Sequence, residues 1–273
     1  MIRSAISIGS IPEEHGRPFV LSGDLAKACQ EAAKFEYDAI ELSPTAADEI
    51  AASTLWKVLN EHDLKIAAVG TEAGWVIHRL SLTSADAEVR RGAIDFVRAL
   101  IDFAGPFGAP TIVGLMQGSW GDGTDREAAI NYLEDALEEL GDHAKQYRVP
   151  LLYEPLNRAE SNLVNKAAEA VALVKRLATN NVRLNCDLYH MSIEEPDIPA
   201  ALHEMGKLLG HLHFVDSNRR PAGCGTLDFG PIAAALNQVG YNGYASAKAL
   251  PWPDAVTAAG QTMKMYKKVF CGK

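Results

Sequence analysis

Short apolar runs alternate with longer amphipathic stretches along the whole chain. The short runs are typical of buried β-strands, and the recurrence of apolar residues three and four positions apart in the longer stretches is typical of α-helices. The predicted strands are Ala5–Gly9, Asp38–Leu42, Lys65–Gly70, Thr111–Met116, Leu151–Glu154, Val182–Leu188, Gly210–Val215 and Gly243–Ala249. The predicted helices include Ala85–Phe103, Arg126–Tyr147 and Ala168–Ala178.

The strict alternation of strand and helix predicts a single (β/α)8 TIM barrel, with residues 1–273 as one domain. Eight such pairs in 273 residues agree with the roughly 250 residues that are typical of this fold. An open doubly wound sheet is the alternative. It is less favoured because that fold calls for a Gly-rich phosphate-binding turn after the first strand, where Gly9 stands alone.

The composition argues against two classes of partner. The chain carries a formal net charge of −9, whereas nucleic-acid binding needs clustered Lys and Arg. No stretch approaches the ~20 apolar residues that span a membrane, and the N-terminus lacks the pattern of a signal peptide. We therefore expect a cytoplasmic protein with no nucleic-acid or membrane partner. The cysteines are scattered as in reduced intracellular proteins, at Cys29, Cys186, Cys224 and Cys271.

Polar side chains stand at the ends of four predicted strands in the second half of the chain. They are Glu154, Asp187, His213 and Lys248. In a (β/α)8 barrel the catalytic residues gather at the carboxyl ends of the strands. Because side chains alternate between the two faces of a strand, all four are expected to point into one barrel mouth.

Three of these residues suit a metal ion. Glu154, Asp187 and His213 offer the mixture of oxygen and nitrogen donors that Mg²⁺, Mn²⁺ or Co²⁺ accepts. The alternative is structural, since a carboxylate at a strand end often caps a helix or forms an ion pair. Three such residues at successive strand ends favour the metal site.

Aromatic residues and histidines supply further candidates. Trp75 and Trp120 follow predicted strands, where they would contact the apolar face of a substrate or close the barrel. His211 is expected one layer below the mouth, as a buried imidazole. Three other histidines fall in helical segments and are expected to face solvent: His62, His143 and His203.

Four segments in the second half of the chain carry a family resemblance. They are 154–160 (EPLNRAE), 186–191 (CDLYHM), 213–219 (HFVDSNR) and 223–229 (GCGTLDF). In this order and spacing they resemble the xylose isomerase-like TIM-barrel superfamily of sugar isomerases and epimerases. The similarity is greatest to ketose 3-epimerases of the D-tagatose and D-psicose type, and it extends over nearly the whole chain.

The resemblance implies a metal-assisted reaction on a small sugar. A divalent ion, Mn²⁺, Co²⁺ or Mg²⁺, would polarise the ketone and stabilise an enediolate. Two glutamates on opposite faces of the sugar would exchange the proton next to the carbonyl. By resemblance, Glu154 is a metal ligand and one catalytic acid/base, and Asp187 and His213 are metal ligands. The residues that would hold the substrate are Glu160, His190 and Arg219, with Trp120 as a further contact.

Lys248 departs from the family pattern, because it stands where the second glutamate is expected. A protonated lysine has three donors and no lone pair, so it cannot bind a metal. Nearby carboxylates favour the charged form of the amine. We therefore expect the ammonium to pair with Glu154 and Asp187 in or beside the metal position. Metal binding and epimerase activity would then be impaired, whether the lysine arose naturally or was introduced.

Other readings stay open on the sequence alone. Lys248 would be the nucleophile of a Schiff-base enzyme if its amine were neutral, and a non-catalytic sugar-binding protein would keep the pocket without turnover. A DNA-repair endonuclease on the same barrel is less favoured, because it needs more metal ligands and a basic groove. Free and phosphorylated sugars, dicarbonyls and cyclitols all suit the scaffold. The family often forms homo-oligomers.

Overall fold

The computed structural model describes residues 1–11, 16–121 and 123–272. Its strands all run parallel in one sheet. They are β1 (Arg3–Gly9), β2 (Leu21–Ser22), β3 (Ala39–Ser43), β4 (Lys65–Gly70), β5 (Thr111–Val113), β6 (Leu151–Tyr153), β7 (Val182–Asp187), β8 (Leu209–His213) and β9 (Tyr244–Ala247).

The sheet closes because β1 pairs with both β3 and β9. Eight strands therefore form the barrel, while the short β2 adds to one end of β1 at Ile8 and Gly9. The predicted (β/α)8 barrel is confirmed.

Helices follow the strands around the outside of the barrel. They are α1 (Leu25–Lys34), α2 (Ala52–Glu61), α3 (Glu72–Val76), α4 (Ala87–Ala104), α5 (Arg126–Ala144), α6 (Ala167–Arg176), α7 (Leu188–Glu194), α8 (Ile198–Met205), α9 (Phe229–Gln238) and α10 (Ala255–Phe270). Several begin at an aspartate whose side chain accepts a backbone N–H of the first turn, as Asp24, Asp125 and Asp254 do. Such a cap contributes about 1 kcal/mol. In the described part of the chain, no helix has the length and apolar character needed to cross a bilayer.

The main core lies between the barrel and the helices, and small residues fill the lower barrel. Ala5, Ala39 and Ala67 form a buried cluster, and half-buried Tyr244 packs against it. Since alternate residues of a strand share a face, Glu41 points to the same side of β3 as Ala39. The barrel interior therefore changes from alanine to charged side chains toward the carboxyl ends of the strands.

Gly114 ends β5 earlier than the predicted strand Thr111–Met116. Residues Leu115–Gln117 form a turn of 3₁₀-helix instead. A Cβ at position 114 would lie 2.6 Å from Glu154 Oε2, so only glycine leaves room for that carboxylate. The break in the strand therefore serves the site.

Two further differences from the prediction lie beside the site. Leu188 begins α7 rather than ending a strand, because Asp187 caps that helix by accepting the N–H groups of Tyr189 and His190. Trp75, expected in a loop, lies within the short helix α3. In both cases a helix begins directly at the barrel mouth.

Candidate active site

Three predicted site residues meet at the carboxyl ends of adjacent strands. His213 Nδ1 lies 3.1 Å from Glu154 Oε1 and 3.0 Å from Asp187 Oδ2. Glu154 directly follows β6, Asp187 ends β7 and His213 ends β8. All three side chains are buried, so the closed barrel assembles two carboxylates and one imidazole at a single point.

Glu41 supports His213 from below and is a residue that the sequence analysis did not single out. Its Oε1 lies 3.3 Å from His213 Nε2, and its Oε2 lies 2.9 Å from His211 Nε2. Burial opposes a charged imidazole, but the charges of Glu41 and Glu154 outweigh it and raise the pKa of His213 well above its ordinary value. A carboxylate behind a histidine fixes the ring and makes it a better metal ligand. His211 lies one layer below the mouth, as expected.

Lys248 is buried and also contacts Glu41. Its Nζ donates to Glu72 Oε1 at 2.7 Å, to Glu41 Oε1 at 2.9 Å and to Ser43 Oγ at 3.3 Å. The ammonium also lies 4.7 Å from the centre of the Phe19 ring. Two carboxylates and a hydroxyl therefore satisfy the lysine.

These partners correct the predicted pairing of Lys248 with Glu154 and Asp187. The ion pairs of Lys248 in the described structure are with Glu41 and Glu72. The physical reason is barrel closure: β9 lies beside β1, so the lysine reaches toward β3 and β4. Glu41 Oε1 contacts both the ammonium and His213 Nε2, so this carboxylate links the lysine to the histidine.

The electrostatics keep Lys248 charged. Burial opposes the ammonium, yet the charges of Glu72 and Glu41 outweigh it and raise the pKa of the lysine above its ordinary value. Burial likewise works against the two carboxylates, but Lys248 holds the pKa of each below its usual range. A protonated amine has no lone pair with which to attack a carbonyl, so this arrangement disfavours the Schiff-base reading.

A small cavity of about 10 Å³ lies above these groups. Five of its lining residues were predicted from the sequence, and Lys248 adds a sixth. Its charged and imidazole-bearing lining consists of Arg17, Glu72, Glu154, Asp187, His190, His213, Arg219 and Lys248. The cavity is therefore polar, with cations and anions on its wall.

Glu160 links two arginines at the rim. Its Oε1 accepts from Arg219 at 2.5 Å and its Oε2 accepts from Arg17 at 3.5 Å. The Arg219 guanidinium lies 4.8 Å from the centre of the Tyr189 ring. Despite burial, the charge of Arg219 lowers the pKa of Glu160, so Glu160 is an anion that positions the arginines.

His190 turns one nitrogen toward the protein. Its Nδ1 lies 3.1 Å from the backbone N–H of Asn157, which donates to it. An accepting Nδ1 leaves the proton on Nε2, so the ring can offer a donor to the cavity. Its predicted contact with substrate remains a prediction.

Trp120 lies away from this cavity. Its indole N–H donates to the carbonyl of Asn162 at 3.0 Å, and the residue is 42% exposed. It is absent from the residues that line the cavity in the described part of the chain. The contact of Trp120 with substrate stays a prediction.

Two groups of buried side chains in the described structure have donor atoms within 4.8 Å of one another, close enough to hold a metal ion. They are Glu154 with Asp187 and His190, and Glu41 with His211 and His213. His213 Nδ1 contacts both carboxylates of the first group. The oxygen and nitrogen donors of Glu154, Asp187 and His213 fit a hard or intermediate divalent cation.

The pattern of the xylose isomerase-like TIM barrel family matches residues 29–269. The chain therefore belongs to this family. The resemblance that the sequence motifs predicted is confirmed.

Several relatives of the chain are epimerases by name. It is 30% identical over 235 residues to the D-psicose 3-epimerase of Ruminiclostridium cellulolyticum, across 82% of this chain and 80% of that one. It is 33% identical over 167 residues to the D-psicose 3-epimerase of Agrobacterium fabrum, and this match spans 60% of the chain and only 58% of the relative. The crystal structure of a D-allulose 3-epimerase from Methylomonas sp. has the same fold, with a TM-score of 0.81 and 24% identity over 99% of this chain and 100% of that one.

Proposed function

We propose that this protein is a ketose epimerase that removes and returns the proton next to a sugar carbonyl through an enediolate. The observation that carries the proposal is the convergence of Glu154, Asp187 and His213 within a cavity at the carboxyl ends of adjacent strands. The relatives named above support a ketose as the substrate class. A small, uncharged sugar also agrees with a lining that mixes cations and anions.

The chain's own residues divide the work. Glu154, Asp187 and His213 would hold a divalent ion, with Glu41 fixing the His213 ring. When bound, that ion supplies a positive charge that polarises the substrate carbonyl. Glu154 lines the cavity and moves a proton on one face of the sugar. His190 and Arg219 donate hydrogen bonds to its oxygens, and Glu160 holds Arg219 in place.

Lys248 is proposed to weaken the metal site without filling it. The lysine replaces an oxygen donor with a cation, which lowers the affinity for a divalent ion. Its charge is nevertheless compensated by ion pairs with Glu41 and Glu72. Glu154, Asp187 and His213 therefore stay available to bind the metal ion. We therefore expect this site to bind a divalent ion more weakly than a site with four protein ligands. Activity is expected to require Mn²⁺, Co²⁺ or Mg²⁺.

The test is metal binding and ketose turnover in the same preparation. The chain is stripped with a chelator, titrated with Mn²⁺ by calorimetry, and incubated with D-psicose, D-tagatose and L-ribulose at saturating metal. The proposal expects binding of Mn²⁺ and metal-dependent conversion of at least one ketose to its epimer. Calorimetric binding of ketose with no conversion at any metal concentration would instead favour the non-catalytic sugar-binding protein. The cytoplasmic location and a homo-oligomeric state remain predictions.

A further inference from the structure

A second glutamate, Glu72, lines the cavity on the other side of β5 from Glu154. Glu72 is the first residue of α3 and lies two positions beyond β4. It is 9% exposed and lines the same cavity as Glu154. The sequence pattern did not mark it, because it stands beyond its strand and early in the chain.

One oxygen of Glu72 is engaged and the other is free. Oε1 accepts from Lys248 at 2.7 Å. Oε2 is buried and has no hydrogen-bond partner among the described residues. Because buried polar atoms in proteins usually have a hydrogen-bond partner, this oxygen is available to accept a proton or a hydrogen bond from a molecule in the cavity.

Glycine makes room for this carboxylate as it does for Glu154. A Cβ on Gly70 would lie 2.3 Å from Glu72 Oε2, just as a Cβ on Gly114 would lie 2.6 Å from Glu154 Oε2. Gly70 ends β4 and Gly114 follows β5, while Glu154 follows β6. The carboxylates of Glu72 and Glu154 thus each pack against a glycine, and they lie on either side of the end of β5.

We propose that Glu72 is the second catalytic acid/base, taking the place of the carboxylate that position 248 lacks. This inference rests on the proposed epimerase function. Lys248 is then a positioning residue: it holds Glu72 Oε1 and leaves Oε2 for the substrate. The lysine and Glu72 together replace one glutamate, with the carboxylate supplied from β4 rather than β9.

The step balances without an oxidant or a second reactant. The Glu72 carboxylate takes the proton from the carbon next to the carbonyl, that C–H bond breaks, and its electron pair moves to the carbonyl oxygen to give the enediolate. Protonated Glu154 then gives its proton to the opposite face of the same carbon, a new C–H bond forms and the carbonyl returns. Exchange with solvent restores the starting protonation of both glutamates, and the reverse reaction exchanges their roles.

The test is deuterium incorporation from D₂O by Mn²⁺-loaded protein, with D-psicose and D-fructose offered separately. Wild type is expected to epimerise both sugars and to deuterate the inverted carbon. Glu72→Gln is expected to lose epimerisation by about 100-fold or more, as loss of a general acid/base does. It should still exchange the proton of the one sugar that Glu154 deprotonates, and Glu154→Gln should show the opposite preference.

A matched control separates chemistry from folding. Glu194→Gln makes the same change in a side chain that is 2% exposed and paired with Arg158, outside the cavity. It should keep epimerisation, and Glu72→Gln should keep Mn²⁺ binding by calorimetry within a few-fold of wild type. One-sided exchange with the metal retained supports the assignment, because a purely structural change would lower exchange of both sugars together.

Two results would overturn the inference, and they differ. In the first, wild type is active and the Glu72→Gln variant is either equally active or loses exchange equally with both sugars. This result rejects the catalytic role of Glu72 but not the epimerase function. Wild type that binds Mn²⁺ but neither exchanges nor epimerises any ketose rejects the proposed function, and this role of Glu72 falls with it.

Discussion

Glu41 Oε1 lies 2.9 Å from the ammonium of Lys248 at the mouth of the barrel. The pair joins β3 to the residue that follows β9, across the seam where the two ends of the sheet meet. Removing one member of a buried pair leaves the other charge without compensation, which costs far more than the pair itself contributes. The stability and the chemistry of the site therefore depend on the same lysine.

Lys248→Met is expected to destabilise the protein by about 3–5 kcal/mol, because it leaves two buried carboxylates without their cation. Urea unfolding at neutral pH measures the change. Lys267→Met is the control, since that lysine pairs with Glu36 at the surface, where the side chains are 38% and 73% exposed. There the expected loss is below about 1 kcal/mol. Equal stabilities for Lys248→Met and wild type would show that the buried pairing is misassigned.

Lys248→Glu is expected to raise the affinity for Mn²⁺ by at least about tenfold, which corresponds to ~1.4 kcal/mol. The change removes a cation from beside the site and adds an oxygen donor. Calorimetric titration of chelator-stripped protein measures it. Lys248→Gln removes the charge without adding a carboxylate, so a larger gain for glutamate than for glutamine isolates the ligand effect. No gain with either variant would contradict the placement of Lys248 beside the metal site.

Gly114→Ala is expected to lower metal affinity about 10- to 100-fold, the range found when a ligand loses its support. The added methyl would lie 2.6 Å from Glu154 Oε2 and displace the carboxylate. Gly92→Ala serves as the control, because its new methyl meets only Leu80 at 3.2 Å within the described structure. Calorimetric titration of both variants with Mn²⁺ measures the change in affinity. An unchanged Mn²⁺ affinity in Gly114→Ala would argue that Glu154 is not a metal ligand.

The stability of the protein is expected to fall at acid pH with a contribution from Glu41 and Glu72. Lys248 lowers the pKa of both carboxyls in the folded state, so their stabilisation is complete above the unfolded pKa, near 4.3, and is lost as the pH falls through the lower folded values. Each group adds at most about 1.4 kcal/mol per pH unit. Urea unfolding between pH 2 and pH 6 should give a shallower slope for Glu72→Gln than for wild type. Parallel slopes would show that Glu72 is not ion-paired in the folded state.

Borohydride treatment in the presence of D-fructose or pyruvate is expected to leave the mass of the protein unchanged at Lys248. The ammonium is held between two carboxylates and has no lone pair for addition to a carbonyl. Peptide mass spectrometry after reduction measures the outcome. A reduced adduct on Lys248 that is absent from Lys248→Met would restore the Schiff-base alternative.

The barrel and half of the site follow from local patterns in the sequence. Each strand is a short apolar run, and parallel strands carry their functional groups at one end, so Glu154, Asp187 and His213 are recognisable from position alone. The predicted strand boundaries are wrong where a side chain of the site changes the local backbone. Gly114 ends β5 to admit Glu154, and Asp187 starts a helix by capping it.

The partners of Lys248 are beyond such patterns. Glu41 lies 207 positions away in the sequence and Glu72 lies 176 positions away. No spacing links them, and their contact depends on how the closed sheet brings its last strand beside its first. One local signal was present: Glu41 is an acidic residue within an apolar strand run, where burial demands a charged partner.

The seam between β1 and β9 also governs what happens as the polypeptide leaves the ribosome. Glu41 and Glu72 are synthesised before Lys248, so the ion pairs of both carboxylates with this lysine form only after the final strand has emerged. Because chains are made from the N-terminus onward, the unfinished protein cannot bury these carboxylates cheaply. A chain truncated before β9 would lack both the strand that pairs with β1 and the cation that pairs with the two carboxylates.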